Sequence, residues 1–159
     1  MTDLTILTID TPTLGDRSYL VHDGRVAFVV DPQRDIDRVL SLLDEHGVRL
    51  THVFETHIHN DYVTGGHALA RRTGAAYLVN GDDDVSFDRT PVRDGLQVEV
   101  GDRMRVTALA TPGHTFSHLS YALLLLRRLD SAQLIAIGRS ELVAVAFRGV
   151  LHGGAQLSA

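Results

Sequence analysis

The sequence predicts a layered α/β sandwich, and three observations support this fold class. Short apolar runs of strand length recur along the 159 residues, and residues 26–30 are the clearest of them. After Asp35 the apolar positions change to helical spacing, and a further apolar run follows at residues 50–54. An order of hairpin, strand, helix and strand is what a layered α/β sandwich requires.

The first elements form a hairpin and a buried strand. Residues 4–9 and 18–22 have the apolar pattern and length of strands. Asp23 and Gly24 then favour a tight turn, and residues 26–30 form a fully apolar run that ends at Asp31-Pro32. A run without polar alternation is consistent with a buried strand.

Two helices are predicted, one before and one after the next strand in the sequence. The first begins at Asp35 and ends at Gly47, a common stop signal. Residues 50–54 form the strand that follows. The second helix begins at residues 64–66, Thr-Gly-Gly, continues to residue 72 and ends at Gly74.

The following region is rich in strands. Residues 75–79 predict one strand, and residues 96–100 with 104–110 predict a hairpin around Gly101-Asp102. Residues 117–126 predict another strand. The acidic run 81–84 between these elements is interpreted as a solvated loop, because it lacks the spacing of a calcium-binding EF-hand.

Composition narrows the function class. A formal net charge of −5 without a basic stripe argues against a nucleic-acid partner. The longest apolar runs have six residues, whereas a spanning helix needs about 20. No secretory signal is visible, so we expect a soluble, cytoplasmic protein without a membrane partner. The absence of Cys excludes disulfides, thiolate ligands and a protein-borne persulfide, so any sulfur chemistry must take place on the substrate.

The most informative segment follows the strand at residues 50–54. His57, His59 and Asp61 occupy alternate positions, and residues two apart in an extended backbone point to the same side. Imidazole is a common ligand for divalent metals, and a carboxylate adds charge compensation. His114 supplies a third imidazole, because Pro112 and Gly113 favour a loop that presents it. The sequence therefore predicts a metal site.

Residues 57–61, His-Ile-His-Asn-Asp, and residues 111–115, Thr-Pro-Gly-His-Thr, resemble the two leading metal motifs of the metallo-β-lactamase superfamily. The longer string from Glu55 to Gly66 resembles the persulfide dioxygenase group most, with glyoxalase II as the nearest hydrolase relative. The resemblance extends from the first strand to Tyr121. It implies an αβ/βα sandwich, which we expect to be incomplete at the C-terminus.

The resemblance also implies a metalloenzyme with a mononuclear Fe(II). His57 and His114 would hold the ion with a carboxylate, and His59 and Asp61 would ligate it or orient ligands and water. Asp130 is the candidate for the missing carboxylate, since it lies 16 residues after His114. The superfamily usually has a second-metal His at the position of Tyr62, so this residue favours one metal. Tyr62 either packs as a wall of the site or donates a hydrogen bond from its hydroxyl to a metal-bound water or the substrate. Asp61 and Tyr62 are the candidate catalytic residues.

The tail departs from the family pattern. The region around Asp130 lacks the Gly-Asp turn that the family uses, so we divide the chain into a metallo-β-lactamase-like part, 1–126, and a divergent tail, 127–159, with truncation or a changed reading frame as alternatives. An incomplete sandwich would expose apolar surface, which predicts a homo-oligomer.

Three functions remain open from the sequence. The first is oxidation of a low-molecular-weight, glutathione-type persulfide with O₂ at Fe(II). The second is a Zn(II)-dependent thioester hydrolase of the glyoxalase II type, which like the first acts on a small thiol-derived substrate. The third is a non-catalytic remnant or binding module with a partial metal site.

Overall fold

Two β-sheets pack face to face, and both helices that the structure describes cover the outer face of the first sheet. The computed structural model describes residues 4–13, 15–59, 63–126, 133–137 and 142–146. The elements are β1 (Thr5–Thr11), β2 (Asp16–His22), β3 (Val26–Val30), α1 (Ile36–His46), β4 (Arg49–Phe54), α2 (Gly66–Thr73), β5 (Ala76–Asn80), β6 (Thr90–Val92), β7 (Gln97–Val100), β8 (Met104–Ala110), β9 (Leu119–Leu125), β10 (Gln133–Ile137) and β11 (Leu142–Ala146).

The first sheet changes from antiparallel to parallel pairing at β3. Its order is β1-β2-β3-β4-β5-β6, in which β1, β2 and β3 pair antiparallel and β3 to β6 pair parallel. Parallel neighbours need crossover connections, and α1 and α2 provide them between β3, β4 and β5. The carboxyl ends of β3, β4 and β5 consequently meet at one edge of the sheet.

The first sheet is buried on both faces. On β3, Phe28 and Val30 point into the core between the sheets, while Ala27 and Val29 pack under the helices. All four side chains have 0% exposure, which explains why this strand is apolar at every position. The prediction of a buried strand is confirmed.

The second sheet is antiparallel, in the order β11-β10-β9-β8-β7. It closes the inter-sheet core with side chains such as Val106, Leu123 and Ile137. β10 and β11 belong to the part of the chain that we assigned to the tail, and the domain boundary at residue 126 stays a prediction. None of the described helices is long and apolar enough to cross a membrane.

The predicted fold class is confirmed, with differences at individual elements. β1 extends to Thr11 and β2 begins at Asp16, so the first hairpin is longer than the apolar pattern indicated. β6 was not predicted, because three residues with a central Pro91 give almost no strand signal.

Candidate metal centre

The candidate site lies where the carboxyl ends of parallel strands approach the second sheet. Backbone hydrogen bonds hold these ends in register: the Asp31 N–H donates to Phe54 O (2.9 Å) and the Glu55 N–H donates to Leu78 O (3.0 Å). Across the two sheets, the Leu119 N–H donates to Thr56 O (2.7 Å). The segment after β4 is therefore fixed to both of its strand neighbours and to β9.

The structure brings His57, His59 and His114 together. The ring centroids of His57 and His59 are 4.0 Å apart, and those of His57 and His114 are 4.7 Å apart. His57 is buried, whereas His114 is exposed on its loop. The three imidazoles thus form one cluster with a solvent-facing side.

The loop that carries His114 is closed at its base. The Thr111 N–H donates to His118 O (2.9 Å), and Asn80 Nδ2 at the end of β5 donates to Ser117 O (2.6 Å). His118 is buried, with its Nδ1 2.9 Å from Thr111 Oγ1 and its ring 5.5 Å from that of His57. His118 therefore supports the loop and contributes a fourth imidazole beside the cluster.

A buried carboxylate determines the tautomer of His57. The Thr56 hydroxyl donates to Asp31 Oδ2 (2.6 Å) and also lies 2.9 Å from His57 Nδ1. A hydroxyl has one proton, so the His57 ring must be the donor in the second contact. We therefore assign the proton of His57 to Nδ1, which leaves the lone pair on Nε2 for a ligand interaction.

The same carboxylate holds His59. Asp31 Oδ1 accepts from the Thr56 N–H (2.7 Å) and lies 3.2 Å from His59 Nε2. Asp31 adopts φ 50°, a left-handed conformation that Asp tolerates better than most residues. This contact directs the other ring nitrogen of His59, Nδ1, away from Asp31.

Charge divides the cluster into a neutral and a cationic imidazole. Burial lowers the pKa of His57 to about 4, and the positive charge of His59 contributes to this shift. Burial alone would lower the pKa of His59, but the contacts with Asp31 and Glu55 outweigh it and raise this pKa to about 10. Burial likewise opposes ionisation of Asp31, yet the His59 and Thr56 contacts keep its pKa below the usual range.

Glu55 is the second carboxyl behind His59. Its Oε2 lies 3.5 Å from His59 Nε2. Burial raises the pKa of Glu55 to about 7, and the neighbouring charge of Asp31 adds to this effect.

Asp31, Glu55 and His59 each offer a ligand atom, all within 4.8 Å of one another. Both oxygens of Asp31 already accept hydrogen bonds from Thr56, which suits a residue that orients His59 from behind.

Three of the predicted site residues lie outside the described residues: Asp61, Tyr62 and Asp130. Their assignment as ligands or catalytic groups stays a prediction, as does metal ligation by the three imidazoles. The sequence analysis did not predict the roles of Asp31, Glu55 and Thr56. A usable signal existed for Asp31, because a carboxylate that ends an apolar strand next to the strand of the metal motif must lie at the same sheet edge.

The family is decided by comparison with known proteins. The family model of the metallo-β-lactamase superfamily matches residues 14–143. The chain belongs to this superfamily. The resemblance that the two His motifs indicated is therefore confirmed.

Curated relatives in this superfamily are named hydroxyacylglutathione hydrolase, another name for glyoxalase II. The protein from Methylobacillus flagellatus is 34% identical over 104 residues, which cover 65% of this chain and 41% of the relative. The protein from Cereibacter sphaeroides is 36% identical over 122 residues, 71% of this chain and 46% of the relative. The chain thus spans less than half the length of the curated relatives that it matches.

Solved structures with a similar fold also include a metallo-β-lactamase. A metallo-β-lactamase from Staphylococcus aureus superposes with a TM-score of 0.70 at 28% identity, over 77% of this chain and 39% of that chain. ETHE1 from Myxococcus xanthus superposes with a TM-score of 0.68 at 34% identity, over 75% of this chain and 53% of that chain. The chain thus also spans only part of the length of these solved structures.

Proposed function

We propose that the chain carries the metal centre of a persulfide dioxygenase, which oxidises a glutathione-type persulfide with O₂. One observation carries this proposal: the rings of His59 and His114 both lie beside His57, with centroids 4.0 and 4.7 Å from that of His57. The sequence places Tyr62 where the superfamily usually has a second-metal His. This combination favours a single ion, as in iron oxygenases with open coordination positions.

The donor set fits a divalent metal. Ligation requires neutral imidazoles, and His57 meets this condition because its pKa is lowered to about 4. The Thr56 hydroxyl keeps the proton of His57 on Nδ1, and Asp31 holds His59 through Nε2. His57 would bind through Nε2 and His59 through Nδ1, with His114 and a carboxylate, Asp61 or Asp130, completing the set. Fe(II) at this position would supply the activation of O₂.

The proposed reaction balances with one O₂ and one water. The persulfide RSSH gives the thiol RSH and sulfite, so the outer sulfur is oxidised and its bond to the inner sulfur is broken. The protein residues hold the ligands and leave one side of the cluster open to solvent, where His114 is exposed. The substrate would approach from this side.

Thioester hydrolysis is the second candidate, and the names of the curated relatives favour it. Zn(II) in the same set of imidazoles would lower the pKa of water towards about 7 and polarise a carbonyl. This reaction needs no O₂ and converts a thioester and water into an acid and a thiol.

One sample can distinguish these candidates. The metal content of protein purified without chelator is measured first, followed by O₂ uptake with glutathione persulfide and by thioester hydrolysis. Iron with O₂ uptake supports the dioxygenase, and zinc with hydrolysis supports the second candidate. Absence of both activities in a metal-loaded sample would refute both and leave the non-catalytic remnant. The His57→Ala variant should lose metal and either activity.

A further inference from the structure

Glu55 is a buried acid that the proposed reaction does not use. Its side chain has 1% exposure, and it directly follows the last residue of β4. Its Oε1 accepts a hydrogen bond from the Thr64 hydroxyl (2.5 Å) and another from the Tyr77 hydroxyl (3.0 Å). Burial of a carboxyl is costly, so a residue that is held by this many contacts calls for an explanation.

The backbone nearby is adapted to this carboxyl. A Cβ on Gly66 would overlap Glu55 Oε1 and lie 2.6 Å from Tyr77 Cε2. Only glycine therefore allows the first residue of α2 to approach the acid and the phenol this closely. The Thr64 hydroxyl also accepts from the Gly66 N–H (3.0 Å), so the start of α2 is tied to Glu55 through Thr64.

The two oxygens of Glu55 face different parts of the chain. Oε1 holds Thr64 and Tyr77, whereas Oε2 lies 3.5 Å from His59 Nε2 and has no closer hydrogen-bond partner among the described residues. His59 and Thr64 stand on either side of residues 60–62 in the sequence, the segment that contains Asp61. Glu55 thus contacts His59, which directly precedes this segment, and Thr64, which lies two residues after it.

We propose that Glu55 is a positioning residue for the metal centre, which fixes the ring of His59 and the spacing between His59 and Thr64. This inference rests on the metal site of the proposed function. A purely structural role would also explain the burial and the hydrogen bonds. It would not explain why one oxygen faces a candidate ligand.

The Glu55→Gln variant separates these roles. Gln keeps an oxygen for Thr64 and Tyr77 but places an NH₂ group against His59 Nε2, which donates towards Asp31. The hydrogen bonds of Glu55 with Thr64 and Tyr77 are therefore preserved in this variant. On the other side, the NH₂ group of Gln and the Nε2–H group of His59 are two donors that repel each other. Tyr77→Phe does the reverse, since it removes one hydrogen bond at Oε1 and leaves the carboxyl in place.

Affinity for Co(II) is measured by chelator competition, together with the visible Co(II) spectrum, which reports ligand geometry. We expect Glu55→Gln to lower the affinity about 10- to 100-fold, as for other groups that orient metal-binding imidazoles, and to shift the Co(II) bands. Tyr77→Phe should cause a smaller loss. Thr51→Val on β4 is the matched control, because it removes a hydroxyl that donates to Ala27 O (3.1 Å) on β3, away from Glu55. It should bind Co(II) like the unsubstituted protein.

The inference is overturned if Glu55→Gln is folded and binds Co(II) with unchanged affinity and spectrum. A second measurement uses metal-free protein, in which the ring resonances of His59 should shift in Glu55→Gln, while the Gly66 amide, tied to the preserved oxygen through Thr64, should change little. Unchanged ring resonances of His59 would also overturn the inference, whether or not the chain binds metal. A chain that binds Co(II) but shows neither O₂ uptake when loaded with iron nor hydrolysis when loaded with zinc would instead refute the proposed function and leave the role of Glu55 intact.

Discussion

The Asp31→Asn substitution tests whether a buried carboxylate sets the tautomer of His57. Asp31 Oδ1 accepts from the Thr56 N–H (2.7 Å) and contacts His59 Nε2 (3.2 Å), while Oδ2 accepts from the Thr56 hydroxyl (2.6 Å). A backbone N–H can only donate, so the amide oxygen of the variant must take the place of Oδ1. The amide NH₂ then takes the place of Oδ2 and donates to the Thr56 hydroxyl.

This change reverses the next hydrogen bond. The proton of the Thr56 hydroxyl must turn to His57 Nδ1, 2.9 Å away, which makes this nitrogen an acceptor. His57 then carries its proton on Nε2, where the lone pair is required. Metal binding requires the Nδ1-protonated tautomer of His57, in which the N–H of His57 and the O–H of Thr56 would point at each other in a buried site. This opposition of two donors costs about 1–3 kcal/mol, or about 5- to 150-fold in metal affinity.

The assay is a Zn(II) competition titration at fixed pH, combined with long-range ¹H–¹⁵N NMR of metal-free protein to identify the protonated nitrogen of His57. Asn tolerates the left-handed conformation of Asp31, so the backbone should persist. The control is Asp23→Asn, at a buried Asp whose Oδ1 accepts from two backbone N–H groups in the turn before β3. The reasoning would be refuted if Asp31→Asn binds Zn(II) with wild-type affinity and His57 still carries its proton on Nδ1.

Three further predictions follow from the site and its charges. His114→Ala should lower the metal affinity by more than about 100-fold. Its stability should change little, because the side chain of His114 is exposed. Full metal content by elemental analysis would contradict the role of His114 as a ligand. Gly66→Ala should destabilise by about 1–3 kcal/mol in urea unfolding, because its Cβ would overlap Glu55, whereas Gly113→Ala, which meets no atom within 4 Å, should be nearly neutral. Metal-free protein should lose stability as the pH rises from about 6.5 to 10. The pKa of His59 is raised to about 10 in the folded state, so its contribution is complete below the unfolded value of 6.5 and is lost as the pH rises towards 10. A His59→Gln variant with the same decline would show that another group is responsible.

Much of the site follows from local sequence patterns. His57 and His59 alternate at the end of an apolar strand, and Pro112-Gly113 places His114 in a loop, so the position of each motif could be predicted without knowing the pairing of the strands. That the two motifs belong to one site was implied by the family resemblance, which rests on the same residues. The signal is strong because each piece is short and depends on local geometry.

The support behind the imidazoles depends on topology instead. Asp31 lies 25 residues before Thr56, and Tyr77 lies 22 residues after Glu55. These contacts exist because β3, β4 and β5 are adjacent and parallel. A single sequence gives the order of these strands along the chain, but their order in the sheet requires the folded structure. Buried acids beyond the motif are therefore hard to predict from spacing.

Charge compensation explains how this edge of the sheet tolerates two buried carboxyls. The cationic ring of His59 lies between Asp31 and Glu55 and balances the negative charge of Asp31, while burial keeps the pKa of Glu55 near 7. A divalent ion bound to His59 would require the neutral imidazole, so it would take the place of the His59 proton that compensates the acids. All of these groups lie between Asp31 and His118, before β10 and β11 in the sequence. The groups that support the imidazoles thus all precede the predicted tail, 127–159, which contains one of the two candidates for the completing carboxylate, Asp130.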